Sequence, residues 1–487
     1  MVNKNVICVI DGAAGSCGKA KVIGEIATDR FINLGAAVTN CMPNAGHTFV
    51  DERGMATVFR NIPVSAVNPN TELFIGPGSA IDMEVFKEEY ARTEKYLRGR
   101  KIYVHEMVPL IDERHKQYEK EHIKSGSTFK GCGAVTQEKV IRDERLEFFK
   151  TYKNSIVCSN DEWLERLYSH LDKTDEYVML EGAQGCDLDL NHSGNYPYVT
   201  SRNVSTSQLL ADSGISPERL LQTIMVIRPF PIRISNITKD DKYIFTGNYG
   251  TGAELTWSDV NLAAQNGVYP FRNNCPRELY YELSYHAKSI LDESKNVIID
   301  MYSTLPVNYK IQLLNGVNKE TLREYEIDLI LALEIERIYH KIKGENTYKS
   351  IVIKRISNNG RIFDNSDYII NDLSEMTSVT KKERRIFDLD IKKLKNNVRI
   401  NDPYGLYLNF FQQFDYGLFE KKGNYADIKN RYQVNFDNID RYIEWLESET
   451  KCNILSLGTG AKNGDVIKRL SMINTQNHWK KLKMWVL

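Results

Sequence analysis

Five short segments carry side chains whose types and spacing suit phosphoryl and proton chemistry. Gly15-Ser16-Cys17-Gly18-Lys19 follows an apolar run and opens a helical pattern. Flexible backbone and a lysine therefore fall at a helix N-terminus, where N–H groups and the dipole favour phosphate. The spacing is not GxxxxGK[ST], so plain turn chemistry accounts for this segment about as well as a phosphate cradle. Asn44-Ala45-Gly46-His47-Thr48 puts a histidine on a small-residue loop, as a general acid or oxyanion donor requires, although a lone histidine is more often structural. Glu181-Gly182-Ala183-Gln184-Gly185 ends a strand-like run with an amide between glycines, able to read an amide-like edge as both donor and acceptor, though by itself it points to no one ligand. Gly126-Ser127-Thr128 is a second candidate phosphate loop or an ordinary turn. Thr380-Lys381-Lys382-Glu383-Arg384-Arg385 concentrates four cations, enough to grip a dicarboxylate or phosphates, though most charge runs are simply solvated.

The elements needed to position these loops are legible as alternation. Asn5–Ile10 reads as a strand, followed by the glycine loop and a helix through Phe31. Strands are expected at Ala36–Met42, Leu73–Ile75, Lys101–Val104 and Tyr177–Leu180, with a helix over Asp82–Leu97. Strands alternating with helices predict an α/β fold with a large, mostly parallel central sheet and flanking helices. Ligands in such sheets lie beyond the carboxyl ends of the strands, where these glycine loops fall. After Val260 the pattern changes: an apolar-periodic helix over Lys319–Lys343 leads to a strand at Ser350–Ile356 and the turn Asn358-Asn359-Gly360, read as a self-contained α+β piece.

Length and composition exclude several classes. The 487 residues, with 42% hydrophobic, 10% aromatic and 26% charged residues, match a globular chain with a sizeable core. Equal numbers of acids and bases, 64 each, leave no excess of cations for neutralising a polymer of phosphates, so nucleic acid is not the expected partner. No apolar run is long enough to span a bilayer or to form a signal-peptide core, which predicts a cytoplasmic protein without a membrane partner. The 8 cysteines are scattered without a CxxC pair, as expected of reduced, mostly buried thiols.

Taken singly, each loop has a bland reading; their order along the chain resembles the adenylosuccinate synthetase family. The glycine loop with its lysine, NAGHT, GST, EGAQG followed by Tyr196-Pro197-Tyr198-Val199-Thr200-Ser201, the basic loop and a late glycine loop at Gly458-Thr459-Gly460 occur in that family's order. The resemblance covers roughly residues 5–260 and 371–470. Within the family the chain is most similar to the phage-type aminodeoxyadenylosuccinate synthetases, through Met42-Pro43-Asn44, Thr200-Ser201-Arg202 and Val379-Thr380-Lys381-Lys382. In that branch the segments like Glu254–Trp257 and Glu375–Thr380 lie close together, so residues 261–370 are expected to be an inserted α+β subdomain, with 1–260 and 371–487 forming the ligase domain.

The resemblance implies a C–N ligase that phosphorylates O6 of a purine nucleotide and then displaces the phosphate with the amine of aspartate. Mg²⁺ and cations would absorb phosphoryl charge. By position, Lys19 would contact the transferred phosphoryl group, His47 would be the general acid, and the Gly46 carbonyl would ligate Mg²⁺. Asn44, Ser127, Thr128, Gln184, Leu188 and Thr200 would hold the nucleotide, and Arg142 would reach the nucleotide of a neighbouring subunit in a homodimer. Thr380, Lys382, Arg384 and Arg385 would hold aspartate; Gly15, Gly18, Lys19, Phe410, Gln412, Gly458 and Gly460 would lie along the triphosphate donor.

Two departures bear on substrate choice. Adenylosuccinate synthetases carry an aspartate, both a base and a Mg²⁺ ligand, where this chain has Ser16; a hydroxyl is a poor substitute in either role. The phage-type branch shares the serine, which implies a purine with a 2-amino group, hence dGMP. Phe410 and Gln412 stand where GTP-using members have lysine and aspartate, which implies ATP or dATP as donor. A third, Phe129-Lys130-Gly131-Cys132 in place of Gly-Arg-Gly-Ile, alters the phosphate loop. The alternatives are an IMP-directed adenylosuccinate synthetase and a nucleotide-sensing protein on a weakened ligase fold. Retention of Lys19, His47, Gln184 and the basic loop speaks against the latter.

Overall fold

The first strand, β1 (Val6–Asp11), is buried at every position, as β-branched apolar residues covered on both faces must be in a parallel sheet. It is followed by α1 (Lys19–Thr28), β2 (Leu34–Thr39), the hairpin β3 (His47–Val50) and β4 (Ala56–Phe59), β5 (Glu72–Ile75), α2 (Met83–Leu97) and β6 (Ile102–His105). Then come α3 (Glu113–His122), α4 (Cys132–Ile141), β7 (Ser155–Cys158), α5 (Asn160–Leu171), β8 (Tyr177–Glu181), α6 (Thr206–Ser213) and β9 (Leu220–Ile227). The computed structural model describes residues 2–250 except 124–126, 235–236 and 240–241, residues 384–473 except 432–435, and between these blocks residues 254–255, 260, 264, 301–303, 308–309, 351–353, 368–370 and 375.

Eleven strands form one sheet in the order Gly423–Asn424, Val466–Lys468, Ile454–Gly458, Gly405–Leu408, β9, β1, β8, β2, β5, β6, β7. Every neighbouring pair is parallel except Ile454–Gly458 with Val466–Lys468. β1 lies between β9 and β8, so the loops leaving β1, β8, β9, β2 and Gly405–Leu408 emerge on one edge of the sheet, and the apolar core packs beneath α1.

Among the described residues, element existence follows the sequence reading; some ends do not. α1 stops at Thr28, short of Phe31, because Asp29 turns extended and returns its N–H to the Ile26 carbonyl at 3.3 Å. β2 ends at Thr39, short of Met42, where the Thr39 hydroxyl accepts the Cys41 N–H at 3.1 Å. α2 begins one residue later than expected because Asp82 is its N-cap, accepting the N–H groups of Glu84 and Val85. His47 is not on a loop but opens β3, paired with Phe59 of β4.

The chain divides into two compact units. The first comprises Met1–Glu254, Phe387–Gln412 and Leu418–Leu487 and contains the large sheet; the second comprises Leu255–Ile386 and Gln413–Gly417. In the second, the short strands Asn308–Tyr309, Met301–Ser303, Ile351–Ile353 and Tyr368–Ile370 pair antiparallel in that order. The helix read over 319–343 and the turn at 358–360 lie outside the described residues, and Ile351–Ile353 is the described part of the strand read over 350–356. Among the described residues, seven cysteines are free and buried, and no helix is long and apolar enough to cross a membrane.

Candidate active site

β1 ends in Asp11, a carboxylate only 1% exposed that organises the glycine loop. Its Oδ1 accepts the N–H groups of Ala13 and Gly15 at 3.0 and 3.3 Å, and its Oδ2 accepts that of Cys17 at 2.9 Å. The expected free N–H cradle for phosphate is thus partly filled from within: these three donors serve Asp11. Sequence reasoning passed over this residue, though an aspartate two residues before a loop amide is the Asx-turn pattern. The loop leaves Ser16 exposed in the left-handed region, at φ +57°. Gly185 meets the same loop so closely that a Cβ there would overlap the Ala13 carbonyl, which is why this position after Gln184 carries no side chain.

Lys19 begins α1 and is buried. Its Nζ donates to the Gln184 carbonyl at 2.6 Å and lies 3.4 Å from Asp11 Oδ2. Gln184, itself left-handed at φ +62°, therefore holds the lysine with its backbone carbonyl and also lines an adjoining cavity. His47 is buried, and desolvation together with the nearby Lys19 charge pushes its imidazole down to about 3. The ring is neutral near pH 7, so it has an imidazole N–H to offer and not an imidazolium. Arg60, which follows β4, fastens the loop before His47 by donating Nη1 to the carbonyls of Pro43 and Ala45 at 2.7 and 3.3 Å.

The cavity has a volume of about 670 Å³, within the range of small-molecule sites. Asn44, Ser127, Thr128, Gln184, Leu188 and Thr200 all line it, so six of the seven residues matched to nucleotide binding come together. Thr200 is tied in register by its N–H to the Leu188 carbonyl at 2.8 Å. Glu119 of α3 accepts the N–H groups of Gly131 and Gly133 at 2.9 and 2.7 Å, and the Ser127 hydroxyl at 3.4 Å, fixing the loop against the start of α4. Arg233, whose guanidinium donates to the Thr246 carbonyl at 2.6 Å and the Tyr198 carbonyl at 3.2 Å, brings positive charge to the wall. Neither Glu119 nor Arg233 stands in a recognisable motif, and only the fold shows that they adjoin the site.

The seventh, Arg142, does not line this cavity. It follows α4 at φ +60°, next to the exposed Val140 and Ile141. Beyond β9, Arg228 is fully buried, donates Nη1 to the Ser16 carbonyl at 3.2 Å and lies over the Phe410 ring at 4.1 Å. Asn409 donates Nδ2 to the Cys17 carbonyl at 3.0 Å, and a Cβ on Gly458 would overlap its side chain. The residues matched to the triphosphate donor, Gly15, Gly18, Phe410 and Gly458, are thereby linked across the loops of three strands. Gly460 continues that last loop, where a Cβ would meet the Asp465 carboxylate, and Gln412 follows Phe410 half-buried. Of the residues matched to aspartate binding, Arg384 and Arg385 are described, Arg384 donating its N–H to the Glu375 carbonyl at 2.8 Å; Thr380 and Lys382 lie outside the described residues.

Comparison with known proteins bears on this geometry. A family model described as adenylosuccinate synthetase matches residues 9–155 and 143–236. The N6-succino-2-amino-2'-deoxyadenylate synthase of Cyanophage S-2L is 32% identical over 293 residues, 57% of this chain and 76% of that protein. The enzyme of the same name from Vibrio phage phiVC8 is 33% identical over 273 residues, 53% of this chain and 74% of that protein. An adenylosuccinate synthetase of Methanococcus maripaludis is 30% identical over 234 residues, 46% of this chain and 66% of that protein. Among solved structures, the Cyanophage S-2L succinoaminodeoxyadenylate synthetase, bound to dGMP and to dATP as an energy donor, aligns over 100% of both chains with a TM-score of 0.62 at 20% identity. The fully ligated adenylosuccinate synthetase of Plasmodium falciparum aligns over 96% of this chain and 100% of its own, with a TM-score of 0.56 at 15% identity.

Proposed function

Because the chain belongs to the adenylosuccinate synthetase family, whose members are ligases that form a C–N bond, we propose that it joins L-aspartate to C6 of dGMP with ATP or dATP as phosphoryl donor. The product would be 2-amino-2'-deoxyadenylosuccinate. The observation that carries the choice of dGMP is Ser16, exposed on the glycine loop where adenylosuccinate synthetases have an aspartate. The names of the phage relatives and the nucleotides bound to one of them point the same way.

In this reading the cavity holds the purine nucleotide, Asn44, Gln184 and Thr200 among its contacts. O6 attacks the γ-phosphorus as the purine N1 gives up its proton to solvent water, the nucleoside diphosphate leaves, and Lys19 meets the charge that develops on the phosphoryl oxygens. The neutral His47 donates a hydrogen bond toward O6. The amine of aspartate then adds at C6 and inorganic phosphate departs, with Arg384 and Arg385 suited to the aspartate carboxylates. Mg²⁺ would neutralise phosphoryl charge when bound. The chain offers it the exposed Gly46 carbonyl and, weakly, the Ser16 hydroxyl, while both oxygens of Asp11 are occupied; this fits an ion carried largely by substrate phosphates. Arg142, beside exposed apolar residues at the end of α4, supports a homodimer in which it reaches the neighbouring nucleotide phosphate. Residues 261–370 are read as a subdomain inserted into the ligase domain.

The test is a matrix of IMP, dIMP, GMP and dGMP against ATP, dATP and GTP, with Mg²⁺ and aspartate, read by appearance of the succinyl product. The wild-type chain is expected to prefer dGMP, and Ser16→Asp to move the preference toward the hypoxanthine nucleotide by about tenfold, the size of one modest contact difference at a binding site. The aspartate would crowd the 2-amino group and restore the base that hypoxanthine chemistry uses. Equal use of dIMP and dGMP by the wild-type chain favours the IMP-directed alternative. ATP or dATP is expected to outcompete GTP, because Phe410 and Gln412 replace the groups that specify guanine; a GTP preference refutes that assignment.

A further inference from the structure

Asp11 closes β1 with a carboxylate that the chemistry above leaves without a task. Its oxygens take the N–H groups of alternate loop residues, Ala13, Gly15 and Cys17, and one of them lies 3.4 Å from Lys19 Nζ. An ammonium group has three N–H donors. The Gln184 carbonyl accepts one at 2.6 Å and Asp11 faces a second, so the lysine is held by two acceptors from two different strand ends. The contact with Asp11 is buried and that with Gln184 part-buried, an environment in which fixed geometry counts more than in open water.

Resting on the reading of Lys19 as the phosphoryl contact, we infer that Asp11 is a positioning residue for phosphoryl transfer, which shapes the glycine loop and orients Lys19 so that its remaining N–H faces the transferred group. It does not touch substrate. The requirement is for a carboxylate specifically. An asparagine keeps one acceptor oxygen but turns an NH₂ group, itself a donor, toward either the Cys17 N–H or the lysine.

The test uses the full chain with Mg²⁺, ATP, aspartate and dGMP. Asp11→Asn is expected to lower kcat about 10²-fold, the cost of one misplaced transition-state donor, while KM for dGMP stays within about threefold. A purely structural role would instead lower Tm and leave the kcat of the folded protein within about threefold of wild type, and that result overturns the inference. A second measurement does not depend on turnover: brief acetylation with limiting acetic anhydride, with the Lys19 peptide quantified by mass spectrometry. Release of the lysine should raise its labelling about tenfold in Asp11→Asn, as expected for loss of a hydrogen bond to a charged group, and unchanged labelling refutes the inference. Asp11→Ser, with a smaller side chain and a hydroxyl acceptor, undergoes the same two measurements should Asp11→Asn fail to fold. If the wild-type chain forms no succinyl product from any nucleotide, the ligase reading falls, whereas the labelling result still decides whether Asp11 holds Lys19.

Discussion

Lys19→Ala is expected to lower kcat by about 10³-fold or more, the range seen when a cation at a transferring phosphoryl group is removed. The lysine is buried at the start of α1, and its ammonium is held by the Gln184 carbonyl and by Asp11, so its geometry is fixed before substrate arrives. Preorganised charge of this kind acts on the transition state more than on the bound substrate, so the loss should appear in kcat with little change in KM for the purine nucleotide. The fold should survive, because Asp11 keeps its three backbone donors when the lysine is gone. Steady-state kinetics of succinyl product formation, beside a circular-dichroism melt, provide the check. A folded Lys19→Ala enzyme within tenfold of wild-type kcat excludes the phosphoryl role.

His47→Ala should cost about 10²–10⁴-fold in kcat, the usual contribution of a group that assists proton movement at the reacting atom. Since burial and Lys19 push the imidazole down to about 3, the proposed role is that of a neutral donor, and kcat/KM of the free enzyme should show no His47 limb between pH 5 and 8. His47→Asn, which retains an N–H donor, should keep more activity than alanine. The same depression affects stability. An unfolded histidine takes up a proton below about pH 6.5, whereas the folded ring does so only near 3, so stability falls as pH drops through that window by at most about 1.4 kcal/mol per pH unit. His47→Asn should therefore show a smaller fall in Tm between pH 7 and pH 5 than wild type. A rate limb near pH 6.5 that vanishes in His47→Asn refutes the neutral-ring assignment.

Much of the candidate site was legible because its parts are local. Glycine loops follow β1 and β8, and NAGHT follows β2, each marked by glycine and small polar residues after an apolar run; chain order then joined them into one family pattern. Where the reading erred, a local contact decided. The Asp29 N–H ends α1 early, and pairing with Phe59 draws His47 into a strand.

By itself the sequence determined the strand and helix alternation, the chemistry available at each loop and the two departures, Ser16 and the pair Phe410 and Gln412, on which the proposed substrate and donor rest. These are properties of residue type and spacing, which survive without coordinates. Only the tertiary structure decided which groups share a pocket and in what electrostatic state. Glu119, Arg228, Arg233 and Asn409 reach the site from α3, from just beyond β9 and from the end of Gly405–Leu408, and no periodicity links positions so far apart in sequence. The low affinity of His47 for a proton is likewise a product of burial beside Lys19, 28 positions earlier in the chain. Asp11 lies within the same short segment as the glycine loop, yet its three amide contacts exist only once the loop closes over the end of β1, because hydrogen-bond geometry depends on backbone direction and not on composition.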